Sequence, residues 1–164
     1  MAYTISPLNA THDVSAFDCG VTALNTWLQE MASQHMRKRI SRTYVLVDDA
    51  APARVLGFYA LAIRSMTPND ALPVTYARKL PRDVPGYTLA RLAIRTDMQG
   101  QGLGVDLLMN AMDRVRAAAE QVAGYAFFVD AKDDAAAAFY SKYGFMSLPS
   151  NPRTLFMPIA NFAA

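Results

Sequence analysis

The sequence predicts an α/β fold in which α-helices flank a mixed central β-sheet. Two runs rich in β-branched and aromatic residues, Thr43–Val47 and Val55–Ile63, come first and are separated by a turn, which is typical of an antiparallel hairpin. The rest of the chain alternates strand, helix, strand, helix and strand. Because parallel strands need a crossover connection and hairpin strands do not, this order predicts a sheet with both kinds of pairing.

Length and composition favour one domain, residues 1–164, because 164 residues with 52% hydrophobic and 18% charged content can bury a substantial core. The longest apolar run, Leu56–Ile63, is too short to span a bilayer, and no signal-peptide pattern is present at the start. One cysteine, Cys19, excludes an internal disulfide. His12 and His35 lie far apart with no second cysteine, so no metal site is expected. We therefore expect a cytoplasmic protein without membrane association.

Residues 21–36 predict an amphipathic helix, preceded by a turn at Asp18 or Cys19-Gly20. Its proposed buried stripe consists of Val21, Leu24, Leu28, Met31 and His35. Residues 66–86 contain four prolines, which predicts a loop with one short helix, because each proline removes a backbone donor. The elements predicted after this loop are the strand Tyr87–Ile94, the helix Leu103–Val122, the strand Tyr125–Asp130, the helix Asp133–Tyr143 ended by Gly144, and the strand Thr154–Ile159.

The turn between the strand ending near Ile94 and the long helix is dense in glycine. It reads Gln99, Gly100, Gln101, Gly102, Leu103 and Gly104. A helix N-terminus has free N–H groups and a positive dipole end, and glycines let a phosphate approach them, with Gln99, Gln101 and Arg95 as further donors. The spacing matches neither the dinucleotide-binding nor the phosphate-binding loop pattern, which disfavours NAD and ATP. A pyrophosphate-bearing ligand is one interpretation, and a simple tight turn is the other.

With its neighbours, this turn resembles the signature of the Gcn5-related N-acetyltransferases, the GNAT fold. The similar segments are Leu89–Ile94, Gln99–Gly104, Asp130-Ala131, Ala138–Tyr140 and Tyr143–Phe145, so that the resemblance covers roughly residues 40–160. It implies splayed parallel strands with acetyl-CoA as co-substrate and no metal. It also implies that the backbone of Leu92, Ala93 and Ile94 pairs with the pantetheine arm, while Gln99 to Gly104 hold the pyrophosphate.

A narrower resemblance, to the GNAT toxins of toxin–antitoxin pairs, begins nearer the start of the chain. It rests on Phe17–Gly20, Leu24-Asn25, Trp27-Leu28, Arg42–Val45 and Leu89–Ala93. It implies acetylation of the amino acid on charged tRNA, a homodimer, and a neutralising antitoxin protein of the ribbon-helix-helix type. Taken singly, Phe17, Trp27 and Leu28 are expected to be core residues of an amphipathic first helix.

Tyr140 is the candidate general acid, because it matches the tyrosine of the last helix that the resemblance covers. A phenol with a pKa of about 10 can protonate a thiolate whose conjugate acid has a pKa near ~8.5, provided that nearby groups stabilise the phenolate. Phe139 and Tyr143 are expected to contact the cofactor. The alternative is that Tyr140 packs in the core beside Phe139 and Phe145.

No general base is evident, since the segments Tyr44–Val47, Val55–Ile63 and Thr88–Ile94 contain no Glu, Asp or His. A lysine amine, with a pKa of ~10.4, would need such a base, whereas an α-amine has a pKa of only ~7.7–8.0. An ester neighbour should lower that value further, so water or a backbone carbonyl could suffice. The absence of a base therefore favours an aminoacyl ester as the acceptor.

Charge is distributed unevenly along the chain, although the net charge is only +2. Residues 31–95 carry 11 Lys and Arg against 4 acids, a net of +7, and the remainder carries −5. The candidate RNA-binding residues form two clusters: Arg37, Lys38, Arg39 and Arg42, and then Arg78, Lys79 and Arg82. The alternative for the first cluster is a solvated helix end.

Together these features predict an acetyl-CoA-dependent N-acetyltransferase toxin that acetylates the α-amine of aminoacyl-tRNA and inhibits translation. One alternative is an enzyme that acetylates a small-molecule amine, such as an antibiotic or polyamine. A polyamine would require an acidic pocket, and acids are scarce in the basic half. A second alternative is a non-catalytic CoA-binding module, against which Tyr140 and the intact glycine turn argue.

Overall fold

The computed structural model describes residues 2–162. Its strands are β1 (Tyr3–Pro7), β2 (Arg42–Asp48), β3 (Gly57–Pro68), β4 (Asp83–Ile94), β5 (Ala126–Asp130), β6 (Met146–Leu148) and β7 (Asn151–Pro158). Its α-helices are α1 (Thr22–Thr26), α2 (Ala32–Arg37), α3 (Val74–Ala77), α4 (Leu103–Val122) and α5 (Asp134–Lys142). The strands form one mixed sheet in the order β1-β2-β3-β4-β5-β7-β6, which confirms the predicted fold class.

Backbone contacts divide the chain into two units. The first comprises the residues up to Ala62 together with Ala90–Ala111, and the second comprises Ile63–Leu89 and the residues from Met112 onward. Strands β3 and β4 and helix α4 each supply residues to both units.

In the first unit, β2 and the first part of β3 form the predicted antiparallel hairpin, in register from Arg42↔Leu61 to Leu46↔Gly57. Strand β1, which was not predicted, pairs antiparallel with β2. The alternation of polar and apolar residues in β1 covers only five positions, and its partner strand lies far along the sequence. No local pattern therefore predicts this strand. The core of this unit contains Phe17, Trp27 and Leu28, with 3%, 8% and 1% of their surfaces exposed, which confirms their assignment as core residues.

The helix predicted over residues 21–36 is present but is not regular. Helices α1 and α2 are joined by a π-helical turn over Trp27–Met31. A π turn contains more residues than an α turn, so it shifts every later side chain around the helix. Ala32 is therefore fully buried in the position expected of Met31, and Met31 is 37% exposed. The prediction that Met31 belongs to the buried stripe was wrong.

In the second unit, β4 and β5 pair in parallel from Gly86↔Ala126 to Leu89↔Val129. Strand β7 pairs antiparallel with both β5 and β6. Strand β6 was not predicted, because three residues carry too little periodicity. The proline-rich segment contains the expected short helix, α3, but it is less irregular than predicted, since β3 continues to Pro68 and β4 begins at Asp83.

The two longer helices lie where their sequence signals predict. Helix α4 has the predicted bounds, Leu103–Val122. Helix α5 begins after Asp133, whose side chain accepts a hydrogen bond of 2.8 Å from the Ala136 N–H, a standard N-cap contact. Gly144 follows this helix with φ of +99°, the left-handed conformation predicted for its end. Among residues 2–162, no helix is both long enough and apolar enough to cross a bilayer.

Candidate functional site

The glycine turn before α4 leaves its backbone accessible. Gly100 and Gly102 have φ of +79° and +81°, conformations that glycine adopts at little cost. A Cβ atom added at either position would meet no other atom within 4 Å, so the space outside the turn is open. The Gly102 carbonyl accepts the Asp106 N–H at 3.2 Å, and the first N–H groups of α4 have no partner within the helix. This backbone fits an anionic phosphate group.

Gln99 secures this turn with its side chain. Its Nε2 atom donates hydrogen bonds to the carbonyls of Ile94, at 2.9 Å, and Cys19, at 3.1 Å. Both amide protons are therefore committed to the backbone. The expectation that the Gln99 side chain adds a donor for a phosphate was wrong, because the amide instead ties the turn to the end of β4 and to the loop before α1. The Gln101 side chain is exposed.

Arg95, expected to add positive charge near the turn, is paired with Asp97. Two hydrogen bonds of 3.1 Å join them, and Arg54 approaches the same carboxylate at 3.2 Å. The hydrogen bond from Arg95, with the nearby positive charges, holds the pKa of Asp97 below its ordinary value. The Arg95 charge is therefore partly neutralised.

The backbone segment predicted to pair with a pantetheine arm lies at the end of β4. Strand β4 continues for five residues, Ala90–Ile94, after its last parallel pair with β5 at Leu89↔Val129. Ala93 and Ile94 have 7% and 9% of their surfaces exposed, and Leu92 is half-buried. The ligand assignment of Leu92, Ala93 and Ile94 remains a prediction.

Tyr140 lies on α5 within an aromatic cluster, with only 6% of its surface exposed. Its ring centroid is 5.2 Å from that of Phe139 and 5.9 Å from that of Phe145, while Phe139 also contacts Tyr143 at 5.2 Å. The packing named above as the alternative is thus present. Burial raises the pKa of Tyr140 well above its ordinary value. No group that would stabilise the phenolate offsets this shift among residues 2–162.

The basic residues of both predicted clusters are exposed: Arg37, Lys38, Arg39 and Arg42 in the first unit, and Arg78, Lys79 and Arg82 in the second. Arg37 is in the last turn of α2 and Lys38 caps it. Arg39 follows with φ of +58°, which is unusual for a residue other than glycine. The second cluster follows α3.

A polar network in the second unit was missed from the sequence. The Arg64 guanidinium donates to both oxygens of Asp130, with Nη1 at 3.1 Å from Oδ2 and Nη2 at 3.2 Å from Oδ1. Arg64 also donates to the Thr88 hydroxyl at 3.2 Å, and the Thr154 hydroxyl donates to Oδ1 of Asp130 at 2.8 Å. The four residues come from β3, β4, β5 and β7. Because 66 positions separate Arg64 from Asp130, no local signal pairs them.

The residues that the structure describes contain no group of three or more His, Cys, Asp or Glu side chains placed to hold a metal ion. Three features carry the candidate chemistry: the backbone of the glycine turn, the Tyr140 phenol and the basic side chains.

Comparison with known proteins identifies the class. The family model of the acetyltransferase (GNAT) domain matches residues 13–154, so the chain belongs to the GNAT acetyltransferases. The chain is 37% identical over 145 residues to the tRNA-acetylating toxin of Mycobacterium tuberculosis, covering 88% of this chain and 85% of that protein.

Two solved structures of AtaT are similar to this chain. AtaT complexed with acetyl-methionyl-tRNAfMet has a TM-score of 0.90 and 36% identity, covering 97% of this chain and 96% of that chain. A mutant AtaT toxin bound to the C-terminus of the antitoxin AtaR and acetyl-CoA has a TM-score of 0.83 and 34% identity, covering 96% and 94%.

Proposed function

We propose that this GNAT acetyltransferase transfers the acetyl group of acetyl-CoA to the α-amine of aminoacyl-tRNA and so blocks translation as a toxin. The observation that carries this proposal is the similarity, over 97% of the chain, to AtaT complexed with an acetylated aminoacyl-tRNA. The relative from Mycobacterium tuberculosis, named a tRNA-acetylating toxin, supports the same activity.

Acetyl-CoA is the co-substrate, and it supplies a thioester that an amine can attack. The backbone N–H groups of Gly100 to Gly104 hold its pyrophosphate, and Gln99 keeps the turn in place through the Cys19 and Ile94 carbonyls. The backbone of Leu92, Ala93 and Ile94 hydrogen-bonds the pantetheine arm, and Phe139 and Tyr143 contact the cofactor.

Tyr140 provides the proton for the departing thiolate. Its phenol is protonated at neutral pH, as an ordinary tyrosine is, and burial raises its pKa further. The same burial makes the phenolate costly, and because no group among residues 2–162 offsets that cost, the transfer requires that the bound substrates stabilise the phenolate.

The acceptor is an α-amine whose pKa lies below ~8, because the neighbouring ester lowers it, so a substantial fraction of the amine is neutral at physiological pH without a strong base. The two exposed basic clusters, at residues 37–42 and 78–82, bind the phosphates of the tRNA. The protein acts in the cytoplasm as a homodimer, and an antitoxin of the ribbon-helix-helix type neutralises it.

The test is transfer of label from [¹⁴C]acetyl-CoA to tRNA. Charged tRNA should take up label, and the same tRNA after mild alkaline deacylation should take up none. A polyamine tested in parallel should remain a poor acceptor. Label that appears equally on deacylated tRNA would refute α-amine acetylation.

A further inference from the structure

The carboxylate of Asp130 faces solvent, while the arginine that holds it is more deeply buried. The Asp130 side chain is 61% exposed and that of Arg64 only 22%. The Arg64 guanidinium lies 4.8 Å from the Phe128 ring centroid, so the cation is anchored on an apolar surface. This arrangement presents a negative charge in a fixed orientation.

One acceptor position on this carboxylate is unused by the residues that the structure describes. Each carboxylate oxygen can accept about two hydrogen bonds. Oδ1 accepts from Arg64 and Thr154, whereas Oδ2 accepts only from Arg64. Desolvation raises the pKa of Asp130, but the hydrogen bonds from Arg64 and Thr154 outweigh it and hold that pKa below its ordinary value. The group is therefore a permanent anion at neutral pH and a weak base.

The location of Asp130 in the sheet relates it to Tyr140. Asp130 directly follows Val129, the last residue of β5 that pairs with β4. Because strand residues alternate between faces, Asp130 shares a face with Phe128, and Phe127 lies on the other. Phe127 contacts Phe145, and Phe145 contacts Tyr140. Tyr140, the candidate acid, and the Asp130 carboxylate thus lie on opposite faces of β5.

We propose, building on the function proposed above, that Asp130 accepts a hydrogen bond from the acceptor α-amine and stabilises the positive charge that develops on it. As the C–N bond forms and the C–S bond breaks, the nitrogen becomes cationic, and a fixed carboxylate favours that change. The extra proton then leaves the nitrogen for water, and the thiolate takes the phenolic proton of Tyr140. Arg64 and Thr154 act as positioning residues.

The experiment compares D130N, D130E and the control D134N in steady-state transfer from acetyl-CoA to bulk aminoacylated tRNA. Asp134 is a matched control, because it also pairs with an arginine at 3.1 Å but is 91% exposed. We expect D130N to lower kcat/KM for charged tRNA about 100-fold, with the Kd for acetyl-CoA within about twofold of wild type. D130E, which keeps the charge, should have a kcat/KM about tenfold higher than that of D130N, and D134N should behave as wild type.

Three outcomes would overturn the inference. D130N could retain wild-type kcat/KM. It could lose acetyl-CoA affinity and thermal stability together with activity, which would assign the network a purely structural role. D130E could instead be as impaired as D130N. All three would leave aminoacyl-tRNA acetylation standing, whereas wild-type protein that leaves charged tRNA unlabelled would refute the function itself.

Discussion

Leu28 and Ala32 lie four residues apart on one buried face of the first helical segment, with 1% and 0% of their surfaces exposed. The π turn over Trp27–Met31 places them there. It also packs Trp27 against Phe58, with ring centroids 6.1 Å apart, and under the Arg91 guanidinium, 4.9 Å from the indole centroid. The change of helix type thus determines which side chains of this segment enter the core.

Truncating Leu28 or Met31 to alanine tests whether the π turn shifts the later side chains around the helix. Leu28→Ala should lower the free energy of unfolding by about 2–5 kcal/mol, because it leaves a cavity in the core. Met31→Ala should lower it by less than about 1 kcal/mol, since Met31 is 37% exposed. Urea unfolding of both variants measures the difference. Equal losses would indicate a regular α-helix with Met31 inside.

A negative charge in the glycine turn should abolish binding of acetyl-CoA. In Gly102→Glu the side chain would extend into the open space outside the turn, repel a pyrophosphate and strain a backbone with φ of +81°. We expect the Kd from calorimetry to rise at least about 100-fold. Val122→Glu, on the same helix at a position 77% exposed, adds the same charge and should leave the Kd unchanged. Unaltered affinity in Gly102→Glu would contradict the phosphate assignment.

Several local features could be predicted from sequence because their causes are local. Helix α4 has both predicted bounds, and Gly144 has the left-handed conformation expected after α5. Other features depend on partners far along the chain. The Gln99 amide bonds the Cys19 carbonyl 80 positions away, and Asp130 pairs with Arg64 across the sheet. The π turn and strand β1 lacked a signal for a similar reason, since tertiary packing rather than local periodicity defines them.

Arg39 combines a strained backbone with a charge in the first basic cluster. Its φ of +58° is one that glycine adopts more easily, and the Ile40 N–H bonds the His35 carbonyl across it at 2.9 Å. Arg39→Gly should therefore raise the free energy of unfolding by about 1 kcal/mol while weakening tRNA binding. Arg39→Ala removes the same charge without relieving the strain, so it should weaken binding equally and give no gain in stability.

Two measurements check the Arg39 prediction: chemical unfolding, and tRNA binding as a function of salt. In both variants the slope of log K for tRNA binding against log salt should fall in magnitude by about one, as expected when one phosphate contact is lost. A stabilised Arg39→Gly variant with unchanged tRNA affinity and slope would remove Arg39 from the RNA-binding surface.

Removal of the Tyr140 hydroxyl should separate binding from catalysis. Tyr140→Phe should lower single-turnover acetyl transfer by about 100-fold or more while the Kd for acetyl-CoA stays within about twofold of wild type. Tyr125→Phe, which removes a half-buried phenol elsewhere in the same unit, should be as active as wild type. Unchanged turnover in Tyr140→Phe would exclude it as the acid.

The pH profile of the wild-type enzyme follows from the same residue. Burial raises the pKa of Tyr140, so the phenol stays protonated through neutral and mildly alkaline pH. In reactions shorter than the alkaline deacylation of charged tRNA, the rate should rise as the acceptor amine loses its proton below pH ~8 and then remain level to about pH 9. A rate that falls between these values would show that an essential acid titrates there and that Tyr140 is not that acid in its buried state.

The chemical identity of the product tests the central claim most directly. Charged tRNA is incubated with the protein and acetyl-CoA, digested with a ribonuclease, and the terminal aminoacyl-adenosine is analysed by mass spectrometry. The proposed function predicts one added acetyl group located on the α-nitrogen of the amino acid. An acetyl group on the nucleotide, or no acetylated aminoacyl-adenosine while acetyl-CoA is consumed, would contradict it.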